Sequence, residues 1–265
     1  GGGDLFCWGH NWDGAVGDGS SEDRFLPVSP VGISGGVRDV AAGENFTCAL
    51  MENGRVKCWG RNGDGQLGNG TTENSLVPQD VIGIDEEILD ISAKWSHVCA
   101  MTASGGVKCW GSNREGELGT GTTEPSAVPI DVVGISGGIR AVSVGHSFSC
   151  ALTDEGGLKC WGSDFDVFPQ VVEYFAEGIA SFSAGMGLLC AVTAQRGIRC
   201  LDFYPLGRVD VEGLENSVEA VSAGDDFACA SLENGKIRCW GKNEYGQLGN
   251  GTATESDFPV DVVGF

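Results

Sequence analysis

The residues of this chain best placed to do chemistry are its eleven cysteines, and ten of them fall in pairs. The pairs are Cys48/Cys58, Cys99/Cys109, Cys150/Cys160, Cys190/Cys200 and Cys229/Cys239, each ten residues apart. In a hairpin whose turn is centred midway, residues ten apart face each other directly. Non-hydrogen-bonded cross-strand positions hold their Cα atoms ~4.5–5.5 Å apart, which is disulfide range. Each bond would close a short loop and contribute ~2–3 kcal/mol. A zinc site needs Cys or His gathered four to an ion, whereas these pairs sit in separate repeats. Reduced thiols in a cytosolic protein are the other alternative, but five pairs at one spacing favour an oxidising compartment. Cys7 is left unpaired.

Catalysis finds little support. The three histidines, His10, His97 and His146, have no motif partners for a triad. There is no G-x-S-x-G, Walker A or H-E-x-x-H sequence. His97 and His146 are expected to cap the turn entering a hairpin rather than act as bases. Gly63-Asp64-Gly65 and Asp164-Phe165-Asp166 offer too few oxygen ligands for calcium. The expectation is a non-enzyme with no cofactor and no metal. Asn45, Asn69 and Asn250 stand in N-x-T sequons, which matter only in a eukaryotic secretory route.

The elements that must position these residues are repeats. The second cysteine of each unit falls at Cys7, Cys58, Cys109, Cys160, Cys200 and Cys239. A period of roughly 40–50 residues with several short strands belongs to β-propellers, and the 3.6-residue period of helical solenoids is missing. Within one unit, 37–42, 46–51 and 55–59 read as strands, and 77–81 as an edge segment that tolerates Pro78. Asn53-Gly54, Gly105-Gly106, Gly156-Gly157 and Asn234-Gly235 mark the hairpin tips. Alternation puts Cys48, Leu50, Val56 and Cys58 on one face, and Ala49, Lys57 and Trp59 on the other. Trp8, Trp59, Trp110, Trp161 and Trp240 are expected to be core wedges, with the alanine after each first cysteine making room for a neighbour's Trp. The Asn after each C-W-G, as in Asn62 and Asn113, is expected to bond to backbone in a turn.

Two units depart from the pattern. After Cys160 the loop reads Ser163-Asp164-Phe165-Asp166-Val167-Phe168-Pro169, and after Cys200 it reads Leu201-Asp202-Phe203-Tyr204-Pro205. Both lack G-x-L-G-x-G-T, so their blades should survive with a shortened connection.

Sixteen basic against 37 acidic residues give a formal net charge of −21. That field repels phosphates and no basic cluster offers an exception, so nucleic acid is not an expected partner. Acidity keeps a secreted protein soluble, and a basic protein partner is its sharper meaning. No apolar run approaches the ~20 residues of a membrane span, so no membrane insertion is expected of this segment.

Gly145-His146-Ser147-Phe148-Ser149-Cys150-Ala151-Leu152, together with Cys58-Trp59-Gly60-Arg61-Asn62-Gly63-Asp64-Gly65-Gln66-Leu67-Gly68, resembles the regulator of chromosome condensation repeat family. The likeness covers almost the whole chain. It implies an all-β fold, a β-propeller of six four-stranded blades or a truncated seven, with one cross-strand disulfide in each complete hairpin. Cysteine in the C-A-L and C-W-G positions looks like the extracellular branch of the family, which includes bacterial surface proteins and crinkly-type receptor ectodomains. The expected organisation is a single propeller domain over 1–265, excised from a longer parent, with a partial repeat split between 1–35 and 240–265.

Strand positions are committed to packing, so binding falls to the loops. The loops entering the Cys-bearing hairpins vary freely in residue type: Glu44 and Asn45, Lys94 and Trp95, His146, Met186, and Asp225 and Asp226. Trp95 is the leading candidate, because aromatic residues dominate interface hot spots. The residues after each C-W-G, such as Arg61 and Arg114, form an alternative surface. The chain therefore reads as a monomeric, secreted or cell-surface module that recognises a protein partner. Family analogy supplies two other readings, an inhibitor of an extracellular enzyme and a guanine-nucleotide exchange regulator.

Overall fold

The computed structural model describes residues 3–203 and 206–264. A two-stranded sheet pairs β1 (Cys7–Gly9) with β2 (Arg24–Val28). Five antiparallel four-stranded sheets follow. They comprise β3 (Val37–Ala42), β4 (Phe46–Met51), β5 (Val56–Gly60) and β6 (Ser75–Asp80), then β7 (Ile88–Lys94), β8 (His97–Thr102), β9 (Val107–Gly111) and β10 (Ser126–Asp131). Next come β11 (Ile139–Val144), β12 (Phe148–Thr153), β13 (Leu158–Gly162) and β14 (Gln170–Val171). The last two sheets are β15 (Ile179–Ala184), β16 (Leu188–Thr193), β17 (Ile198–Phe203) and β18 (Leu206–Asp210), and β19 (Val218–Ala223), β20 (Phe227–Leu232), β21 (Ile237–Gly241) and β22 (Ser256–Asp261). In each the strands pair in chain order, the meander of a propeller blade.

The chain divides into two compact units, one of Gly1–Ala151 with Cys160–Gln170, the other of Leu152–Lys159 with Val171–Phe265. In the first unit the strand assignments made from sequence hold to within two residues. Gly54 takes φ +74° at the first hairpin tip, a conformation costly for any residue with a Cβ. Pro78 sits in the outermost strand, where the β5–β6 register slips between Cys58 and Gly60 and a missing N–H costs nothing. In the second unit β17 and β18 pair with Phe203 opposite Leu206. Tyr204 and Pro205, named in the shortened loop, lie outside the described residues.

All five cysteine pairs are cross-strand disulfides, as in Cys48 opposite Cys58 and Cys190 opposite Cys200. Their Cα atoms lie 4.1 Å apart in Cys48–Cys58, slightly closer than expected of the pairing. Cys7 is partly buried against the cluster around Trp59, and burial pushes its thiol pKa up.

The two faces of each hairpin enter different clusters. Cys48, Leu50, Val56 and Cys58 pack with Ile88, Ala100 and Trp110 of the next sheet, while Ala49 and Trp59 pack with Ile33. Three of the tryptophans thus cover the disulfide of the preceding sheet: Trp110 lies with Cys48 and Cys58, Trp161 with Cys99 and Cys109, and Trp240 with Cys190 and Cys200. The alanine makes room for the Trp of its own hairpin, not a neighbour's, because Ala49 and Trp59 lie side by side across one face.

A seat for Trp59, Trp110 and Trp161 comes from the loop one repeat earlier. Trp59 Nε1 donates to the carbonyl of Ala15 at 2.8 Å, Trp110 Nε1 to Gln66 at 2.9 Å, and Trp161 Nε1 to Glu117 at 2.8 Å. The L-G glycine of that loop lets the indole in: a Cβ on Gly68 would stand 2.8 Å from Trp110 Nε1. Trp8 is 63% exposed, which corrects its reading as a core wedge.

The recurrent Asn holds the loop that makes the seat. Asn62 is fully buried; its Oδ1 accepts from Leu67 N at 2.9 Å and its Nδ2 donates to the carbonyls of Thr71 and Glu73. Asn11, Asn113 and Asn243 repeat the pattern, as expected of a turn former. Three hydrogen bonds to one buried amide make it costly to replace, since each orphaned partner carries ~1–3 kcal/mol of desolvation penalty.

Candidate functional site

Glu44, Trp95 and His146 occupy the same position in three successive repeats of the first unit, two residues before Phe46, His97 and Phe148. The structure brings them together. Glu44 N–H donates to the Trp95 carbonyl at 2.8 Å, and the Trp95 indole meets the His146 ring edge-on with centroids 4.1 Å apart. Asn45 and Trp95 both adopt left-handed backbone, φ 62° and 50°. For a tryptophan that conformation costs on the order of 1–3 kcal/mol, held by the surrounding strands. Lys94 ends β7 beside it, half-buried.

Two residues of the alternative surface, Arg61 and Arg114, meet these loops. Arg61 pairs with Glu44 at 3.1 Å, and Arg114 pairs with Asp64 at 3.3 Å. These groups with Trp95 and His146 line a cleft of about 270 Å³. The ion pairs are partly exposed and stabilise little; their effect is to order a rim of alternating charge around an aromatic centre.

His97 corrects the turn-capping reading. It fills the core position that Phe46 and Phe148 hold in neighbouring sheets and is 1% exposed, as each of them is. Its Nε2 lies 3.0 Å from Ser149 Oγ, whose hydroxyl donates to the Glu117 carbonyl at 2.8 Å. The same carbonyl takes Trp161 Nε1–H, so the histidine belongs to a Trp seat. Burial lowers the His97 pKa to about 3, opposed by the Phe148 backbone and assisted by His146. His146, by contrast, lies half-buried in the cleft with Nδ1 2.8 Å from Ser147 Oγ. The two histidines looked out of step in sequence because one is core and the other is loop.

A pH dependence follows. The unfolded chain protonates His97 near pH 6.5, whereas the folded chain resists until about pH 3. Stability is therefore lost as pH falls through that window, by at most ~1.4 kcal/mol per pH unit. Unfolding free energies measured at pH ~6.5 and ~4.5 should drop about 2 kcal/mol more in the wild type than in His97→Phe. Equal drops would mean that His97 does not sense pH through burial.

In the second unit the loop residues found by sequence lie apart from one another in character. Met186 is exposed and its N–H reaches the Gly224 carbonyl at 3.3 Å. Asp226 pairs with Lys242 at 2.7 Å, an interaction that raises the Lys242 pKa. Asp225 and Asp226 line a second cleft, of about 360 Å³, together with Trp240 and three acidic residues that sequence reasoning missed, Asp202, Glu255 and Asp257.

Two descriptions of the regulator of chromosome condensation (RCC1) repeat match the chain. One covers residues 37–66, 88–117, 139–166 and 218–247, the other 2–50, 53–101, 104–152 and 234–265. The chain belongs to the RCC1 repeat family. Its sheets are accordingly blades of an RCC1-type β-propeller, with a disulfide in each of the five hairpins. The Ultraviolet-B receptor UVR8 of Arabidopsis thaliana is 29% identical over 98% of this chain and 66% of its own length. Human E3 ubiquitin-protein ligase HERC2 is 28% identical over 99% of this chain but 5% of its own. The chain thus spans less than two thirds of these RCC1-repeat relatives.

Solved structures resemble this chain at lower identity. Yeast RCC1 (Prp20) bound to Kap60 has a TM-score of 0.84 at 18% identity, covering 98% of this chain and 71% of that one. The ectodomain of the Arabidopsis thaliana receptor kinase ACR4 has a TM-score of 0.55 at 20% identity, covering 82% and 70%.

Proposed function

We propose that this chain is a non-enzymatic, extracytoplasmic recognition module that binds a protein partner through the loop surface centred on Trp95. One observation carries the reading. The fold repeats its Cys, Trp, Gly and Asn positions in the first unit, yet one equivalent position carries Glu44, Trp95 and His146, the first bonded to the second through the main chain and the second packed ring against ring on the third. Residues that packing does not dictate, held on rigid hairpins, are what a specific interface needs. Yeast RCC1 bound to Kap60 lends the fold a precedent for protein partners. The five disulfides support an oxidising compartment, since such bonds are rare in reducing ones. No helix among the described residues is long and apolar enough to cross a membrane.

The test is Trp95→Ala. The variant should keep its melting transition, because Trp95 lies outside the buried clusters. A partner recovered by cross-linking to the wild-type chain should bind it at least about tenfold more weakly. Loss of the fold would move Trp95 into the core, and unchanged binding would remove the surface. Intact mass after thiol blocking, with and without reduction, should show five protected pairs. Fewer in the native protein would undo the extracytoplasmic assignment.

A further inference from the structure

In the first unit a sheet meets the loop of the preceding repeat through the same contacts each time. The indole N–H of Trp59, Trp110 or Trp161 donates to a loop carbonyl. A loop glycine N–H donates to the outer segment of the next sheet: Gly19 to the Leu76 carbonyl at 3.0 Å, Gly70 to Ala127 at 2.9 Å and Gly121 to Val167 at 3.1 Å. Those same outer residues press on a second loop glycine. A Cβ on Gly14, Gly65 or Gly116 would stand 2.8, 2.5 or 3.0 Å from the Cα of Leu76, Ala127 or Val167.

The chain also carries each half of this junction uncovered. Aligned on the second cysteines, Trp8 and Phe25 hold the positions of Trp59 and Leu76. Trp8 is 63% and Phe25 90% exposed, whereas Trp59, Trp110 and Trp161 are fully buried. The other half is the loop over 243–252. Its frame is the one that seats Trp110: Asn243 is buried, its Oδ1 accepts from Leu248 N at 2.9 Å, and its Nδ2 donates to the Thr252 and Thr254 carbonyls. Gly249 has Val262 beside it as Gly68 has Val81, but no indole. Among the described residues the Gln247 carbonyl takes no indole N–H, and Gly251 N–H reaches no carbonyl. Gly246 is exposed, and a Cβ there would meet nothing nearer than the Thr252 carbonyl at 3.9 Å.

We propose that the β1–β2 face of one copy of this chain docks on the 243–252 loop of a second copy. Trp8 Nε1–H donates to the Gln247 carbonyl of the second copy, the Phe25 carbonyl accepts from its Gly251 N–H, and the Phe25 main chain covers its Gly246. The match chooses the occupant, because face and loop are the two sides of a contact that the fold already makes three times. The halves differ, so the contact is heterologous and each copy offers both. A net charge of −21 on each copy opposes the approach. Dilute chains therefore stay monomeric, and salt, by screening that repulsion, strengthens the association. Trp95 takes no part in this contact, which goes beyond the recognition reading and is tested apart from it.

Sedimentation velocity of the whole chain between about 1 and about 200 µM is the test. The weight-average sedimentation coefficient should rise with concentration, and rise further when salt goes from about 50 to about 500 mM. Two variants separate the halves. Trp8→Ala/Phe25→Ser changes exposed side chains only. Gly246→Asn adds a Cβ where a free copy has room and a docked one has none, and asparagine tolerates the φ of +77°. Each variant alone should stay monomeric and keep its cooperative melting transition. Mixed in equal amounts they should form a dimer that grows no further, since the mixture holds an intact face on one chain and an intact loop on the other. A wild-type chain that stays monomeric throughout overturns the proposal, as does association that salt weakens. Association kept by either variant alone, or a mixture that sediments as the sum of its parts, overturns it too.

Discussion

Trp110→Ala should lower the unfolding free energy by about 3–5 kcal/mol, the range for removing a large buried aromatic side chain. Trp110 is fully buried, covers the Cys48–Cys58 disulfide with Leu67 and Ile88, and donates its Nε1–H to the Gln66 carbonyl. A void there would sit between two sheets, where both have regular strands and little freedom to collapse. Trp110→Phe separates packing from hydrogen bonding: it keeps most of the volume and orphans the Gln66 carbonyl, so about 1–3 kcal/mol should go. The same replacement at Trp240, whose N–H has no acceptor among the described residues, should cost less than at Trp110. Trp8→Ala, at an exposed position, should stay within about 0.5 kcal/mol. Urea midpoints at constant m would rank the variants. Equal losses at Trp8 and Trp110 would refute the seat as the source of the stability.

That ranking marks how far the sequence could be read. Hairpin strands were legible because a strand pattern bounded by Asn-Gly or Gly-Gly has few other solutions, and the repeat shows it several times over. Asn62 was legible as a turn former because its chemistry is local: every bond it makes lies within the next dozen residues. The Trp seat was not. Its partner carbonyl lies 44 residues upstream, a distance set by sheet stacking, and that is why the alanine was matched to the wrong Trp and Trp8 was placed in the core.

The candidate surfaces divide along the same line. Glu44, Trp95 and His146 stood out because they vary where their repeat is otherwise fixed. Nothing in the sequence placed Arg61 against Glu44 or Arg114 against Asp64, since those pairs join different loops and, for Arg114, different repeats. His97 was misread because a polar residue beside a loop suggests a cap. Only the packed structure shows it in the slot that Phe46 and Phe148 fill. The second cleft gathers Asp202, Glu255 and Asp257 from separate strands and loops, a grouping that only the packed sheets reveal.

Replacing Cys99 and Cys109 together by alanine is expected to cost about 3–4 kcal/mol, with the sheets retained. Two contributions combine. The chain-entropy model assigns a loop of this size ~2–3 kcal/mol, lost because the reduced unfolded chain regains its freedom. The remainder comes from packing: both cysteines are fully buried against Met101, Leu118 and Trp161, so deleting two sulfurs opens a small void. Only the first contribution is also lost on reduction of the wild type, since a dithiol still fills the space. Reduced wild type should therefore lie above the double-alanine variant at this site once the other four bonds are held equal, for instance in a background where they are replaced. The measurement is a pair of urea titrations with and without reductant. If the variant matched the oxidised wild type, the hairpin turns alone would be setting the register. The five disulfides would then have no part in holding one sheet against the next Trp, and the strongest physical argument for an oxidising compartment would lose its weight.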